Sequence, residues 1–194
     1  MNQFLTETFT FNTVGDTPVG LSKENLKAGL NLVEEECKEL REAIEKEDRV
    51  ETVDACIDLM VVSLGVMFRM GYTSQQVQLM MNAVSEANLS KFCLTEDEAK
   101  ESVEAYKQDG RYINVDYKFN EGYYVVFGSK AEKDGAKYKI LKKAGWESPE
   151  EKLKDIVDAG YLKTLLEEGE KSREKGETKT VEEVKNSLKQ KYRK

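Results

Sequence analysis

Histidine is absent from all 194 residues of this chain. Its absence removes the commonest general base and excludes Ser-His and Cys-His nucleophile systems. Cysteine is scarce: Cys37, Cys56 and Cys93 form an odd, widely spaced set. They suit a reducing cytoplasm and are expected as core or near-core thiols. There is no Gly-rich phosphate loop of Walker or Rossmann type. No run is long and apolar enough to span a bilayer, and the N-terminus, Met1 to Glu7, lacks the basic flank and apolar core of a signal peptide. A cytoplasmic protein with no membrane partner is therefore expected. The net charge of −7 argues against stable nucleic-acid binding. The length suffices for one core plus appendages. Any hydrolysis must rely on carboxylates and metal.

The acidic residues carry the signal. Asp54 and Asp58 sit in a nearly unbroken apolar run from Val53 to Phe68. Such a run predicts a buried helix. Burying an unpaired carboxylate is costly, so two of them, one turn apart on one face, need compensation. Glu51 lies on the same stripe. A helix N-terminus accounts for Glu51 and Asp54 through its dipole, but poorly for Asp58. Upstream, Glu35, Glu36 and Glu39 also share a face. Glu34-Glu35-Glu36 alone, in a chain with 35% charged residues, reads as a solvated helix face. A short polar link, Glu45 to Arg49, permits an antiparallel return, which brings the two acidic stripes together. Clustered carboxylates without His favour a hard cation, Mg²⁺ or Mn²⁺, over zinc.

Residues 1–20 look irregular, with Gly15, Pro18 and Gly20 as turn markers. Helices are predicted from Ser22 (N-cap) to Glu45, from Arg49 to Met70, and from Thr73 towards Ser90. Thr73 and Gln76 form a capping box in the last, with Val77, Met80, Met81 and Val84 as its apolar stripe. Thr95 and Glu98 open a helix to about Gln108. Strands follow at Arg111–Phe119, Gly122–Gly128 and Ala136–Lys142, separated by Asn120-Glu121-Gly122 and Lys133-Asp134-Gly135. Tyr123, Tyr124 and Phe127 read as sheet-packing residues rather than base-stacking ones. Ser148-Pro149-Glu150 starts another helix. The stretch from Glu167 to Lys179 is charged and nearly free of large apolar groups, and Thr180 caps a final basic helix.

The segments Leu32-Val33-Glu34-Glu35-Glu36-Cys37-Lys38-Glu39-Leu40 and Asp58-Leu59-Met60-Val61-Val62 resemble the MazG-like, all-α nucleoside triphosphate pyrophosphohydrolase superfamily. Its signature is Glu-x-x-Glu, a spacer, then Glu-x-x-Asp. Ala87-Asn88-Leu89-Ser90-Lys91-Phe92 looks like the family's Asn-Met-Ser-Lys segment. Lys139-Ile140-Leu141-Lys142 resembles the ending of phage proteins similar to phosphoribosyl-ATP pyrophosphohydrolase. The resemblance covers about residues 22 to 150. It departs in register: three before Asp58 stands Ala55, not Glu. Either Asp54 replaces it, or Glu51-Thr52-Val53-Asp54 is the signature pair.

The resemblance implies a mainly α protein. Residues 1–92 would be a helical catalytic core with an N-terminal arm. Residues 93–147 would be a small α+β appendage, with an antiparallel sheet, completing the substrate site. Residues 148–194 would be a helical tail. The implied reaction is Mg²⁺-dependent cleavage of a nucleotide at its α-phosphorus, giving a monophosphate and pyrophosphate in a bacterial or phage-infected cytoplasm. Glu35, Glu36, Glu39 and Asp58 would be catalytic. Glu36, Glu39, Glu51, Asp54 and Asp58 would hold metal. Asn88, Lys91, Lys139 and Lys142 would contact substrate. A homodimer or homotetramer is implied, and the breadth of the apolar helix agrees with one. Residues Leu166 to Val184 faintly resemble the arm of addiction-module antitoxins. The alternative is therefore a catalytically idle helical scaffold or an antitoxin-like module whose tail takes a protein partner.

Overall fold

The computed structural model describes residues 2–130 and 137–159. The element order is α1 (Gln3–Val14), α2 (Lys23–Glu45), α3 (Arg49–Arg69), α4 (Ser74–Leu89), α5 (Glu96–Asp109), β1 (Ile113–Asn120), β2 (Tyr123–Lys130) and β3 (Lys137–Ile140). Residues 150–159 are helical. The protein is mainly α with a small appended antiparallel sheet, as the sequence predicts. The described residues form two compact units, 2–76 with 155–159 and 77–154.

In the first unit, the stretch expected to be irregular contains α1. Asn2 caps it by accepting the Phe4 N–H. Threonine is a poor helix former, yet Thr6, Thr8, Thr10 and Thr13 each donate their hydroxyl to the carbonyl four residues back, at 2.9–3.2 Å. Leu5, Thr8, Phe9 and Asn12 are buried along one helical face, and Phe9 meets Phe68 of α3 edge-on at 5.6 Å. That spacing of three and four was the signal, hidden by the polar threonines.

The second and third helices form an antiparallel hairpin with the predicted bounds. Ser22 caps α2 by accepting the Asn25 N–H, and Asp48 caps α3 by accepting from Val50 and Glu51. Small residues lie on the buried faces of the pair, Gly29 and Ala43 on α2 and Ala55 on α3, while Gly65 of α3 faces Asn12 of α1. A Cβ on Gly29 would stand 3.0 Å from Arg69 Cδ and 3.1 Å from Val66 Cγ2. The Arg69 guanidinium donates to Asn25 Oδ1 at 2.8 Å, and the Gly20 N–H to the Arg69 carbonyl at 2.7 Å, closing this end of the hairpin.

The expectation that α3 is buried on nearly every face needs correction. Val50, Val53, Ile57 and Met60 are exposed, at spacings of three and four. A single chain covers α3 only where α1 and α2 lie. Cys37 and Cys56 are likewise exposed, and only Cys93 is a core thiol.

Thr73 and Gln76 close the predicted capping box of α4, each bonding the other's backbone N–H. Its buried face is Val77, Met80 and Ala83, while Met81 and Val84 are exposed. The stripe follows the small Ala83 rather than the larger apolar groups.

In the second unit, Thr95 and Glu98 form the predicted capping box of α5. The sheet order is β1-β2-β3, antiparallel throughout. Asn120 pairs with Tyr123, leaving a two-residue turn in which Glu121 and Gly122 both have positive φ. The core is Cys93, Ala99, Val103, Val115, Val126 and Leu141. Tyr124 packs against Tyr117 and Phe119, and Phe127 stacks on Tyr138, so these aromatics serve the sheet. The Glu150 N–H donates to Ser148 Oγ at 3.4 Å, as expected of an N-cap. Lys133-Asp134-Gly135, the segment from Glu167 to Lys179 and the helix from Thr180 lie outside the described residues.

Gly29→Val should overpack the α2–α3 seam and destabilise the first unit by roughly 1–3 kcal/mol. Urea denaturation is the check, and an unchanged midpoint would contradict the close approach.

Candidate functional site

The antiparallel seam sets Glu36 against the acidic face of α3. Glu36 is half-buried, and its Oε2 is fully buried with no hydrogen-bond partner. Burial pushes its carboxyl above the ordinary glutamate range, and the negative charges of Glu39, Asp58, Glu35 and Asp54 add to the rise. Four of the expected acids thus act on one carboxylate. Glu51, one turn nearer the start of α3, is not among the charges that move Glu36.

The location of the buried charge differs from expectation. Asp54 and Asp58 are exposed; the buried oxygen belongs to Glu36. A hydrophobic run does not reveal which of its faces a neighbour covers. Among the described residues no three acidic or sulfur side chains are close enough together to hold a metal ion. The donor chemistry nevertheless fits a hard divalent cation. One buried oxygen lacks a partner, its neighbours are carboxylates, and no imidazole competes.

The expected substrate contacts lie in the second unit. Lys91 donates to Asn88 Oδ1 at 2.6 Å. Lys142 places its ammonium 3.6 Å from the Trp146 ring centroid, and Lys91 lies 5.5 Å from the same ring. Lys139 stands apart from them, over Tyr112 at 5.9 Å. Neighbouring Lys143 is paired with Glu98 at 3.4 Å. The Glu98 carboxyl is held below its ordinary range, chiefly by the Leu94 N–H.

Trp146 is not among the residues the motifs single out. A lone tryptophan three and four residues after Lys143 and Lys142 is a weak signal in sequence. Its indole N–H donates to the Ala87 carbonyl at 2.9 Å. It borders a cavity of about 740 Å³ lined also by Ala83, Ala87, Ser90 and Pro149.

No helix among the described residues is long and apolar enough to cross a membrane. Residues 10–88 match the family model described as phosphoribosyl-ATP pyrophosphohydrolase. This agrees with the all-α pyrophosphohydrolase superfamily that the acidic motifs resemble, and it supports a hydrolase acting on acid anhydrides. The match takes in α2, α3 and nearly all of α4, hence both acidic stripes and Asn88. No curated protein and no solved structure matches the chain.

The raised Glu36 pKa fixes the sign of a pH effect. The folded state keeps the Glu36 proton to higher pH than the unfolded chain does. Without divalent cation, the Glu36 contribution to stability should therefore be fully present below the ordinary glutamate value. It should fall as pH rises through the raised value and then level off. Glu36→Gln should flatten that dependence and be the more stable protein near neutral pH. Denaturation in EDTA between pH 4 and 8 tests this, and superimposable profiles for the two proteins would refute it.

Proposed function

We propose that this protein is a Mg²⁺-dependent nucleotide pyrophosphohydrolase, cleaving a nucleoside triphosphate or related nucleotide to the monophosphate and pyrophosphate. The observation that carries this reading is the unpartnered, buried Glu36 oxygen among four further carboxylates, within the segment that matches a pyrophosphohydrolase family. Structural carboxylates gain nothing from such crowding, because each raises the cost of ionising the others.

Glu36, Glu39 and Asp58 are assigned as ligands of the ion, with Asp54 completing the set. Mn²⁺ satisfies the same donors. When bound, the cation offsets the triphosphate charge and lowers the pKa of coordinated water. Glu35 or Glu51, outside that set, accepts the proton of the water that attacks the α-phosphorus. Lys91 and Lys142 hold phosphate oxygens as point charges, Asn88 orients Lys91, and Lys139 adds a further cation.

The exposed stripe Val50, Val53, Ile57 and Met60 supports self-association as a homodimer or a dimer of dimers. Its spacing is that of a helix seam, flanked by the exposed Asp54.

Purified protein with Mg²⁺ should release pyrophosphate from at least one member of a nucleotide panel, and EDTA should stop it. Asp58→Asn should lower kcat by about 100-fold or more, the scale of losing a group that stabilises developing charge. A chain that binds no divalent cation by calorimetry and leaves every nucleotide intact would be the idle scaffold or antitoxin-like module instead. Full activity in Asp58→Asn would move the site one turn earlier, to Glu51 and Asp54.

Light scattering at micromolar concentration should give a dimer or tetramer mass, and Ile57→Asp should shift it towards monomer. A monodisperse monomer for the unaltered protein would contradict the association.

A further inference from the structure

We propose that Trp146 is a positioning residue for phosphate recognition: its ring gathers the Lys142 and Lys91 ammonium groups, and a phosphate or pyrophosphate group docks on that pair. The inference rests on the nucleotide reading given above, but it concerns binding rather than cleavage.

The ring is held firmly. Its indole N–H bonds the Ala87 carbonyl at 2.9 Å, and its backbone N–H bonds the Lys143 carbonyl at 3.2 Å. The Lys143 N–H in turn donates to the Lys91 carbonyl at 2.8 Å, and the Ala144 N–H to the buried Ser102 hydroxyl at 2.9 Å. These bonds tie the segment carrying Lys142 and Trp146 to the one carrying Lys91. The aromatic face then attracts the cations: Lys142 at 3.6 Å and Lys91 at 5.5 Å from the centroid.

Two like charges at one ring repel each other. Among the described residues neither ammonium has an ion-pair partner, whereas neighbouring Lys143 is paired with Glu98 and Arg111 with Asp109. Among the described residues the Lys91 ammonium donates to the neutral Asn88 amide. A ring quadrupole compensates a cation less than a carboxylate does, so both ammonium groups keep donors and charge for an anion. If Trp146 merely sealed the end of α4, its bond to Ala87 would be explained. Two cations with no counter-ion among the described residues would not.

Trp146 is the one tryptophan of the chain, so its emission reports on this place alone. The full-length protein in EDTA is titrated with inorganic pyrophosphate, followed by tryptophan fluorescence and by calorimetry. A saturable change in emission is expected. Lys142→Met and Trp146→Leu should each weaken pyrophosphate binding by about tenfold, although Trp146→Leu leaves both lysines in place. Trp146→Phe should retain most of the affinity, and Lys100→Met, on α5, all of it. Lys142→Met should also reduce the salt dependence of binding.

Absence of both heat and emission change would overturn the proposal, as would wild-type affinity in Trp146→Leu. Should Trp146→Leu fail to fold by circular dichroism, the fluorescence response of Lys142→Met decides: its loss supports the proposal, and its full retention overturns it. Pyrophosphate binding that depends on Trp146, in a protein that cleaves no nucleotide, would sink the cleavage reading and leave this one standing. Turnover with pyrophosphate binding indifferent to Trp146 would do the reverse.

Discussion

Close antiparallel packing of α2 on α3 is the constraint on which the first unit depends. Small residues on the facing surfaces permit it, and at Gly29 even a Cβ would press on Arg69 and Val66, at 3.0 and 3.1 Å. The same approach that buries Ala43 and Ala55 brings Glu36 into the field of Asp54 and Asp58. Burial and like charge then act on a single carboxylate in the same direction. Folding around such a cluster costs electrostatic energy wherever these carboxylates are ionised. Apolar packing and acidic crowding are thus consequences of one helix pairing.

The second unit solves a different problem, the placement of an irregular segment. Residues 141–146 have no ladder to fix them. Leu141 enters the core and its N–H bonds the Val126 carbonyl at 2.9 Å; Ala144 bonds Ser102, and Lys143 bonds Lys91. Ser102 is the hinge of this arrangement. Buried, it donates to the Glu98 carbonyl, accepts from Ala144 and lies 3.8 Å from the Cys93 thiol. Burial raises the Cys93 pKa, which disfavours the thiolate, the reactive form, and Cys93 packs in the core. Side-chain-to-backbone bonds here do what strand pairing does elsewhere, and they leave Lys142 and Trp146 on a fixed support.

Helix α3 shows how far a single chain can satisfy its own apolar surface. One flank packs within the unit, while Val50, Val53, Ile57 and Met60 face outward. Their spacing is as regular as that of a core face. The α3 sequence thus carries two apolar stripes, one buried inside the chain and one left exposed.

Much of the architecture was legible because local rules decide it. The capping residues Ser22, Thr73 and Thr95 start helices where they stand, since a side-chain oxygen satisfies an N–H that the helix leaves free. Glu121-Gly122 turns the hairpin because its backbone needs positive φ. The acidic spacing named the carboxylates and, through resemblance, pointed to the pyrophosphohydrolase family whose model residues 10–88 match. The first helix was missed because its threonines look polar until each bonds its own backbone. Burial was misplaced onto Asp54 and Asp58, and onto Cys37 and Cys56, because periodicity defines a face without saying what covers it. Only the tertiary structure selected Glu36 as the buried acid, and only it brought Trp146 to Lys91, fifty-five residues earlier in the sequence. Caps, turns and stripes are set by neighbours in sequence. Desolvation and the convergence of charges depend on which surfaces meet, and that is decided by the packing of the whole chain.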